Sequence, residues 1–345
     1  MGKLNKKLLG LLALFIFFNL YNLQAQDVLI NGRIVDFDSG KPIAGATVRL
    51  VETNKGTYTS GGGKFRLLIP QGKQILKISS LGYESQKINL ENKRDTLVVR
   101  LKANPLLLKS VEVTANIDAN NLIKRAIKRK SENMNKIKTF SGLLYSKMVI
   151  ELEGTGLTQA SANNGAISIG TSLSSSSKSE SDAMSAFLLE TFSKTYVDYT
   201  RALHKNIIIQ RRQTSNIGPE ANVLALGNFL SFYEDKIKIL DAEFVTPLAE
   251  DALDYYEYQI KQRTMLDDRF VYVVSVKPTT KLFPAFTGTI SIVEGTYNLV
   301  AIDLMPSENS SIAFVQNLTY NQKFEEIRKD IWFPTYLDLT ADTKI

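Results

Sequence analysis

Residues 40–50 read GKPIAGATVRL, and this stretch decides the fold of the first part of the chain. In its second half Ala46, Val48 and Leu50 occupy every other position. Successive side chains of a β-strand point to opposite faces, so this alternation places three apolar side chains on one face. The stretch therefore predicts a half-buried strand that contributes to a hydrophobic core.

Short strand-like segments separated by turns continue on both sides of this stretch, at residues 29–35, 75–79 and 96–101. Glycines 61–63 form a turn in which positive φ is accessible, and Phe65, Leu67 and Ile69 then share one face of a strand. Strands spaced in this way are typical of a small antiparallel β-sandwich.

The glycine pattern of this region resembles the carboxypeptidase-regulatory-like domain. The resemblance is carried by GKPIAGATVRL, by Gly56-Thr57, by Gly63 with Phe65, and by SLGY at residues 80–83. It implies a seven-stranded, prealbumin-like β-sandwich of the kind that often precedes envelope proteins, including TonB-dependent receptors. It implies no peptidase activity, because a zinc carboxypeptidase needs two histidines and a glutamate, and this chain has one histidine.

Composition limits the chemistry further. The chain has 345 residues, of which 44% are hydrophobic and 22% charged, and it contains no cysteine. These values exclude a wholly disordered chain, a disulfide scaffold, thiol catalysis and multi-histidine metal sites. We therefore expect a globular protein with no catalytic residue, no cofactor and no metal site.

The first 25 residues carry the features of a signal peptide. Lys3, Lys6 and Lys7 precede an apolar run at residues 8–18, and Ala25 supplies a small residue for cleavage. The run is shorter than the roughly 20 residues that a membrane-spanning helix needs, although an uncleaved anchor is the alternative. We expect export to the periplasm or outer membrane. Loss of the three lysines lowers the formal net charge from +7 to +4.

These observations divide the chain into four parts. We predict a signal peptide at 1–25, the β-sandwich at 26–103 and a linker at 104–118. A mixed, mainly antiparallel β domain follows at 119–345. It contains a serine- and glycine-rich insertion at 154–186 whose composition predicts a flexible segment. The expected fold class is mainly β, with the N-terminal β-sandwich followed by a larger, curved antiparallel sheet and one or two helices.

The second domain begins with a basic amphipathic helix. Asp118 is its predicted N-cap, and Leu122, Ile123, Ala126 and Ile127 form its apolar stripe. This pattern favours a surface helix with a solvated basic face. A second interpretation is contact with an anionic membrane surface, whereas nucleic acid is disfavoured by export. The cations on this face are Lys124, Arg125, Lys128, Arg129 and Lys130.

The remainder of the domain predicts a meander of sequential strands with short links. A helix is indicated at residues 223–233, and Glu294-Gly295 indicates a two-residue hairpin loop. Pro334 lies in the last strand and cannot donate a ladder hydrogen bond, so that strand is expected at an edge or to carry a bulge.

This second half also resembles a family of envelope proteins of unknown function. LIKRAI at residues 122–127, VTPL at 245–248, DYY at 254–256, and Trp332 with Pro334 carry the resemblance. Its members place a regulatory-like domain before this one, and complete members continue into an outer-membrane β-barrel. The resemblance implies that the chain is a fragment lacking that barrel, with a soluble periplasmic variant as the alternative.

Residues that could carry chemistry are few. His204 stands beside Lys205 and is typical of a surface residue. Glu250, Asp251, Asp254 and Glu257 form an acidic cluster, interpreted as a solvated face, because the spacing fits no calcium loop.

Three tyrosines follow the acidic cluster. Tyr255, Tyr256 and Tyr258 are expected to alternate along a strand and to divide between core and surface. The alternative is a platform for carbohydrate or lipid.

We therefore expect a non-enzymatic, exported envelope protein with a binding or docking role. Its partner would be an envelope protein, a peptide or a lipid, held by strand addition at an open sheet edge or in an apolar concavity. The alternative is the periplasmic part of a TonB-dependent-receptor-like outer-membrane transporter. A hydrolase ranks third.

Overall fold

The computed structural model is mainly β and confirms the fold class expected from the sequence. The chain divides into two compact units, one formed by residues 1–110 with 264–270 and the other by 111–263 with 271–345. The predicted signal peptide lies outside the described residues. Those residues are 27–53, 55–90, 96–104, 118–152, 157–163, 166–171, 185–213, 232–239, 242–280, 282–308, 310, 315–329 and 331–343.

Residues 28–101 of the first unit form seven strands in two sheets, as the resemblance implies. One sheet has the order β4-β1-β7 and the other has the order β3-β2-β5-β6. The strands are β1 (Val28–Asp36), β2 (Thr47–Leu50), β3 (Gly56–Tyr58), β4 (Lys64–Ile69), β5 (Ile75–Ser79), β6 (Gln86–Asn89) and β7 (Leu97–Leu101).

The expectation of a purely antiparallel sandwich is wrong for one pair, because β1 and β7 run parallel. A parallel pair needs a long connection, and the other five strands lie in the chain between these two.

The predicted alternation produces the core of this unit. Val48 and Leu50 of β2, and Ala46 immediately before it, are fully buried. Phe65 and Leu67 of β4 are also buried and belong to the same hydrophobic cluster. The period-two pattern in the sequence therefore identified the core-facing side of these strands correctly.

The second unit begins with the predicted helix. Helix α1 (Ala119–Lys136) is N-capped by Asp118, whose carboxylate accepts a hydrogen bond from the backbone N–H of Asn120. Leu122, Ile123 and Ala126 of its apolar stripe are buried. The remaining elements before the meander are β8 (Thr139–Leu152), β9 (Leu157–Asn163), β10 (Ala166–Thr171), β11 (Ser185–Asp198), β12 (Leu203–Gln213), β13 (Lys236–Ile239), β14 (Ala242–Val245) and α2 (Ala252–Tyr255).

Three groups of strands precede the meander. A three-stranded antiparallel sheet has the order β12-β11-β8, while β9 pairs with β10 and β13 with β14. The β9–β10 hairpin lies within the segment predicted to be a flexible insertion. The rest of that segment, and the helix predicted near residue 223, fall largely outside the described residues.

The predicted meander is a six-stranded sheet in strict chain order, β15 to β20. Its last strand is an edge strand, and the ladder shifts register where Phe324 faces Pro334, so both expectations for this proline are confirmed. The strands are β15 (Tyr256–Leu266), β16 (Arg269–Pro278), β17 (Phe286–Val293), β18 (Leu299–Pro306), β19 (Val315–Arg328) and β20 (Ile331–Thr343).

The two-residue loop predicted at Glu294-Gly295 is wrong. The connection between β17 and β18 has five residues, 294–298, and both Gly295 and Tyr297 adopt positive φ. The backbone N–H of Tyr297 donates to the carbonyl of Val293, and that of Val293 donates to the carbonyl of Asn298. The pair Glu294-Gly295 therefore predicted the position of the turn correctly, but not its length.

Candidate binding surface

Strand β12 is largely exposed to solvent. Nine of its eleven residues are exposed. Among the described residues it pairs with β11 alone, which places it at the edge of the β12-β11-β8 sheet. A long edge strand of this kind is a template for pairing with another chain.

One face of the β12-β11-β8 sheet is covered. Leu189, Thr191, Ser193 and Thr195 alternate along β11 and are all buried. On the same side Phe140 of β8 stacks against Phe333 of β20, with ring centroids 4.5 Å apart. The meander therefore contacts this side of the sheet.

The opposite side, here called the open face, is apolar and solvent-exposed. Its central row is formed by Leu143, Lys194 and Ile207, which lie opposite one another on β8, β11 and β12. Leu143 is 66% exposed and Ile207 is 43% exposed. Exposed apolar side chains grouped in this way are typical of an interaction site.

Aromatic side chains extend the open face on either side of that row. Tyr145 of β8 is exposed and lies opposite Phe192 of β11. The ammonium group of Lys194 lies 5.1 Å from the centre of the Tyr196 ring, a cation–π contact that keeps this lysine flat against the sheet.

The cations on the basic face of helix α1 fall into two groups, one exposed to solvent and one in contact with the loop between β17 and β18. Lys124 and Lys128 are exposed. Arg125 instead donates to the hydroxyl of Tyr297 and lies over its ring, and the Nε of Arg129 donates to the amide oxygen of Asn298 at 3.2 Å. Both arginines thus bind the loop between β17 and β18, while contact with an anionic membrane surface stays a prediction.

Lys130 does not belong to the basic face, contrary to the expectation from the sequence. Its side chain is 7% exposed, and its ammonium group lies 2.6 Å from the carboxylate of Asp235. A buried lysine requires such a partner, because an unpaired charge away from water is strongly unfavourable. Helical periodicity could not reveal this pairing, since Asp235 is 105 residues further along the chain.

An open groove of about 580 Å³ lies between α1 and α2. Lys124, Lys128 and Ile127 line it from α1, and Glu250 and Leu253 line it from the other side. The groove therefore holds charges of both signs, which makes it a poor match for a purely anionic ligand.

The acidic cluster is spread over three elements. Glu250 and Asp251 precede α2, Asp254 lies within it, and Glu257 is in β15; all four are exposed. Within the described part of the chain, no group of three or more acidic or histidine side chains could hold a metal ion. His204 is exposed at the start of β12.

The three tyrosines do not alternate along one strand, because Tyr255 lies in α2. Tyr256 is buried, and its hydroxyl donates to the carbonyl of Val245 and accepts from the backbone N–H of Phe286. Tyr258 is half-buried and donates to the carbonyl of Pro247 at 2.7 Å. Tyr256 and Tyr258 therefore have structural contacts, and the buried Tyr256 is not available to a ligand platform.

Comparison with known proteins identifies both parts of the chain. Residues 30–113 match the CarboxypepD_reg-like domain. Residues 122–345, about two thirds of the chain, match the family of unknown function DUF5686. The chain belongs to the DUF5686 family. The architecture expected from the two resemblances, a regulatory-like domain followed by a domain of unknown function, is thereby confirmed.

A curated relative aligns with a quarter of this DUF5686 protein. TonB-dependent receptor P39 of Formosa agariphila is 34% identical over 93 residues, which are 27% of this chain and 9% of the receptor. The chain therefore spans a small fraction of the length of that relative.

A solved cohesin–X-dockerin complex from Acetivibrio cellulolyticus is 19% identical and covers 28% of this chain and 71% of its own. Its TM-score is 0.21, too low to support any conclusion about fold. No helix in the described residues is long and apolar enough to cross a membrane.

The surface formed by β12 and the open face was missed by sequence reasoning, which treated this region only as strand-forming. The signal in the sequence is the run Ile207-Ile208-Ile209 between the cations Lys205 and Arg211. A β-branched run predicts a strand. Whether that strand lies inside a sheet or at its edge depends on the pairing, which the run does not encode.

Proposed function

We propose that this DUF5686 protein is an exported, non-enzymatic protein of the cell envelope that binds an extended segment of a partner protein along β12. The observation that carries this proposal is β12 itself, an eleven-residue edge strand with exposed aliphatic side chains on both faces. Strand addition at such an edge forms a ladder of main-chain hydrogen bonds, and the side chains provide specificity.

The geometry of the edge favours an extended protein segment over a small molecule. Ile207 belongs to the open face, whereas Ile208 lies opposite the buried Ser193 and so belongs to the covered side. A segment that adds to β12 would bury an aliphatic surface on each face as well as forming the ladder. The open face beside the edge would receive the side chains that point away from the meander.

Two findings fit an envelope protein. The first unit belongs to the regulatory-like domains, and part of the chain is similar to a TonB-dependent receptor. The positively charged, apolar N-terminal segment supports export. We further propose that the protein resides in the periplasm or at the outer membrane.

A second candidate function follows from the receptor similarity. The chain would then be the periplasmic part of a TonB-dependent-receptor-like outer-membrane transporter. The 34% identity over 93 residues favours it. The two candidates are compatible, because the periplasmic part of a transporter could also bind a partner segment along β12.

Binding of a defined peptide tests the proposal. The probe is a labelled peptide with the sequence of residues 189–198, which form the neighbour of β12 in the sheet. We expect it to bind and to slow hydrogen exchange at backbone amides within 203–213. Ile207→Lys should weaken binding about tenfold, because lysine on an edge opposes pairing.

The matched control is Leu282→Lys. Leu282 is 83% exposed and lies in the connection before β17, so this variant carries the same change of charge away from β12. It should bind the peptide as the unmodified protein does. Absence of binding, protection confined to other strands, or equal weakening by the two variants would each overturn the proposal.

A further inference from the structure

One face of the β4-β1-β7 sheet in the first unit is exposed over most of its described residues. Alternate residues of these strands are exposed, except Val35 near the end of β1, which is buried, and the residues between them face the core of the sandwich. This surface, here called the outer face, consists of Leu29, Asn31, Arg33, Lys64, Arg66, Leu68, Val98 and Arg100.

Cations dominate the outer face. It carries Arg33, Lys64, Arg66 and Arg100 and no acidic residue. Among the described residues none of the four forms an ion pair with a carboxylate, and the nearby Asp27 pairs with Lys55.

Two of these cations directly oppose each other. Arg33 of β1 lies opposite Lys64 of β4 in the antiparallel ladder. Like charges in directly opposed positions destabilise a sheet, because their side chains start only about 5 Å apart. The Nε of Arg33 donates to the carbonyl of Gly62 at 3.2 Å, two residues before Lys64 in the chain. A carboxylate placed between the two would remove the repulsion.

The same face is also apolar. Leu29 and Leu68 oppose each other at one end of the β1–β4 pair and are 48% and 54% exposed. Val98 lies beside Arg33 on β7 and is 58% exposed. Aliphatic side chains and cations thus share a single face of the sheet.

From this arrangement we infer that the outer face binds an acidic segment of a partner protein, one that presents carboxylates and aliphatic side chains together on the same face. Its carboxylates would pair with Arg33, Lys64 and Arg66, and guanidinium groups can bind carboxylates in bidentate fashion. Its aliphatic side chains would cover Leu29, Leu68 and Val98. The charge of the face selects the sign of the partner.

The heights of the side chains favour a protein segment over a membrane. Arginine and lysine side chains reach further from the sheet than leucine and valine do. A flat anionic bilayer would meet the charged ends first and leave the shorter aliphatic side chains uncovered. A peptide can place its own apolar side chains between the cations and so bury both kinds of surface.

The inference is independent of the function proposed for β12. The outer face lies in the first unit, and β12 lies in the second. A failure of either experiment therefore leaves the other surface unaffected.

The test uses the purified full chain and a twelve-residue peptide in which pairs of glutamates alternate with pairs of leucines or valines, so that each face of the extended peptide carries both kinds of side chain. A second peptide with glutamine at every glutamate position is the control ligand. We expect binding of the acidic peptide at low salt, with backbone NMR shifts concentrated in β1, β4 and β7. Binding should weaken as salt rises, because exposed charges are screened.

Charge reversal identifies the surface. Arg33→Glu with Arg66→Glu should weaken binding of the acidic peptide at least about tenfold, and the neutral pair Arg33→Gln with Arg66→Gln should weaken it less. The matched control reverses Lys41 and Lys87, exposed lysines of the same unit outside the outer face, and changes the net charge equally. Circular dichroism establishes that every variant is folded.

Four results would overturn the inference. They are absence of acidic-peptide binding, equal binding of the glutamine peptide, equal loss in the Lys41 and Lys87 variant, and shifts concentrated outside the outer face. Sedimentation with phosphatidylglycerol vesicles tests whether the outer face binds an anionic membrane rather than a peptide. Vesicle binding that requires Arg33 and Arg66, without peptide binding, would assign the face to a membrane surface instead.

Discussion

The ammonium group of Lys130 lies 2.6 Å from the Oδ1 atom of Asp235 and joins helix α1 to the segment before β13. The lysine is nearly buried, whereas the aspartate is half-exposed. The pair therefore spares the lysine an unpaired charge while the carboxylate keeps part of its hydration. Such a pair is required for stability mainly because removing one partner leaves the other charge uncompensated.

Asp235→Asn is expected to destabilise the protein by about 1–3 kcal/mol, because it leaves the buried ammonium group without its counter-charge. Lys130→Met removes the charge and keeps the length of the side chain, so it should cost less. Urea denaturation of both variants measures the free energies of unfolding. A cost for Asp235→Asn no larger than that for Lys130→Met would contradict this account.

Gly288→Ala is expected to destabilise the meander by more than about 2 kcal/mol. Gly288 has a φ of 140°, and an added Cβ would lie 2.2 Å from the carbonyl oxygen of Asp303 on β18. Gly61→Ala is the control, because a Cβ there meets no atom within 4 Å. Thermal melting compares the two variants, and equal melting temperatures would refute the steric argument.

Tyr256→Phe is expected to cost about 1–3 kcal/mol at neutral pH, since it leaves the carbonyl of Val245 and the N–H of Phe286 without their partner. The variant should also change the response to alkali. Burial raises the pKa of Tyr256, so above about pH 10 the unfolded chain loses this proton first and folded stability falls as pH rises.

Denaturation curves recorded between about pH 9 and pH 11.5 measure that response. Each tyrosine protonated only in the folded state contributes up to about 1.4 kcal/mol per pH unit, so Tyr256→Phe should show a shallower decline. A decline as steep as that of the unmodified protein would show that Tyr256 ionises alike in both states.

The mature protein is expected to begin at Gln26. Expression in a Gram-negative host followed by intact-mass measurement should reveal loss of residues 1–25. Leu14→Arg interrupts the apolar run and should block both processing and export, and its product should keep the full mass. A full-length mass for the unmodified protein recovered from the envelope would instead indicate an uncleaved anchor.

Much of the fold could be predicted from local patterns. The alternation at Ala46, Val48 and Leu50 identified the buried side of β2, and Asp118 identified the start of α1. Pro334 indicated an edge strand, because proline has no N–H to donate to a neighbouring strand in any tertiary context. These predictions hold because each depends on neighbouring residues and on the geometry of one element.

The candidate site could not be predicted in the same way. The edge position of β12 depends on which strands pair, and the outer face depends on the register that brings Arg33 opposite Lys64. Lys130 and the tyrosines were misplaced for a related reason, because their partners lie in distant segments of the chain or in a short helix.

By itself the sequence determined that the chain forms a β-sandwich followed by a helix and a meander, because hydrophobic periodicity, capping and turn residues act over a few positions. Tertiary structure alone decided which strand was left at an edge, which cations remained without a carboxylate partner and which lysine was buried. Those outcomes follow from pairing between segments far apart in the chain, and such pairing sets both the exposure and the charge of a surface.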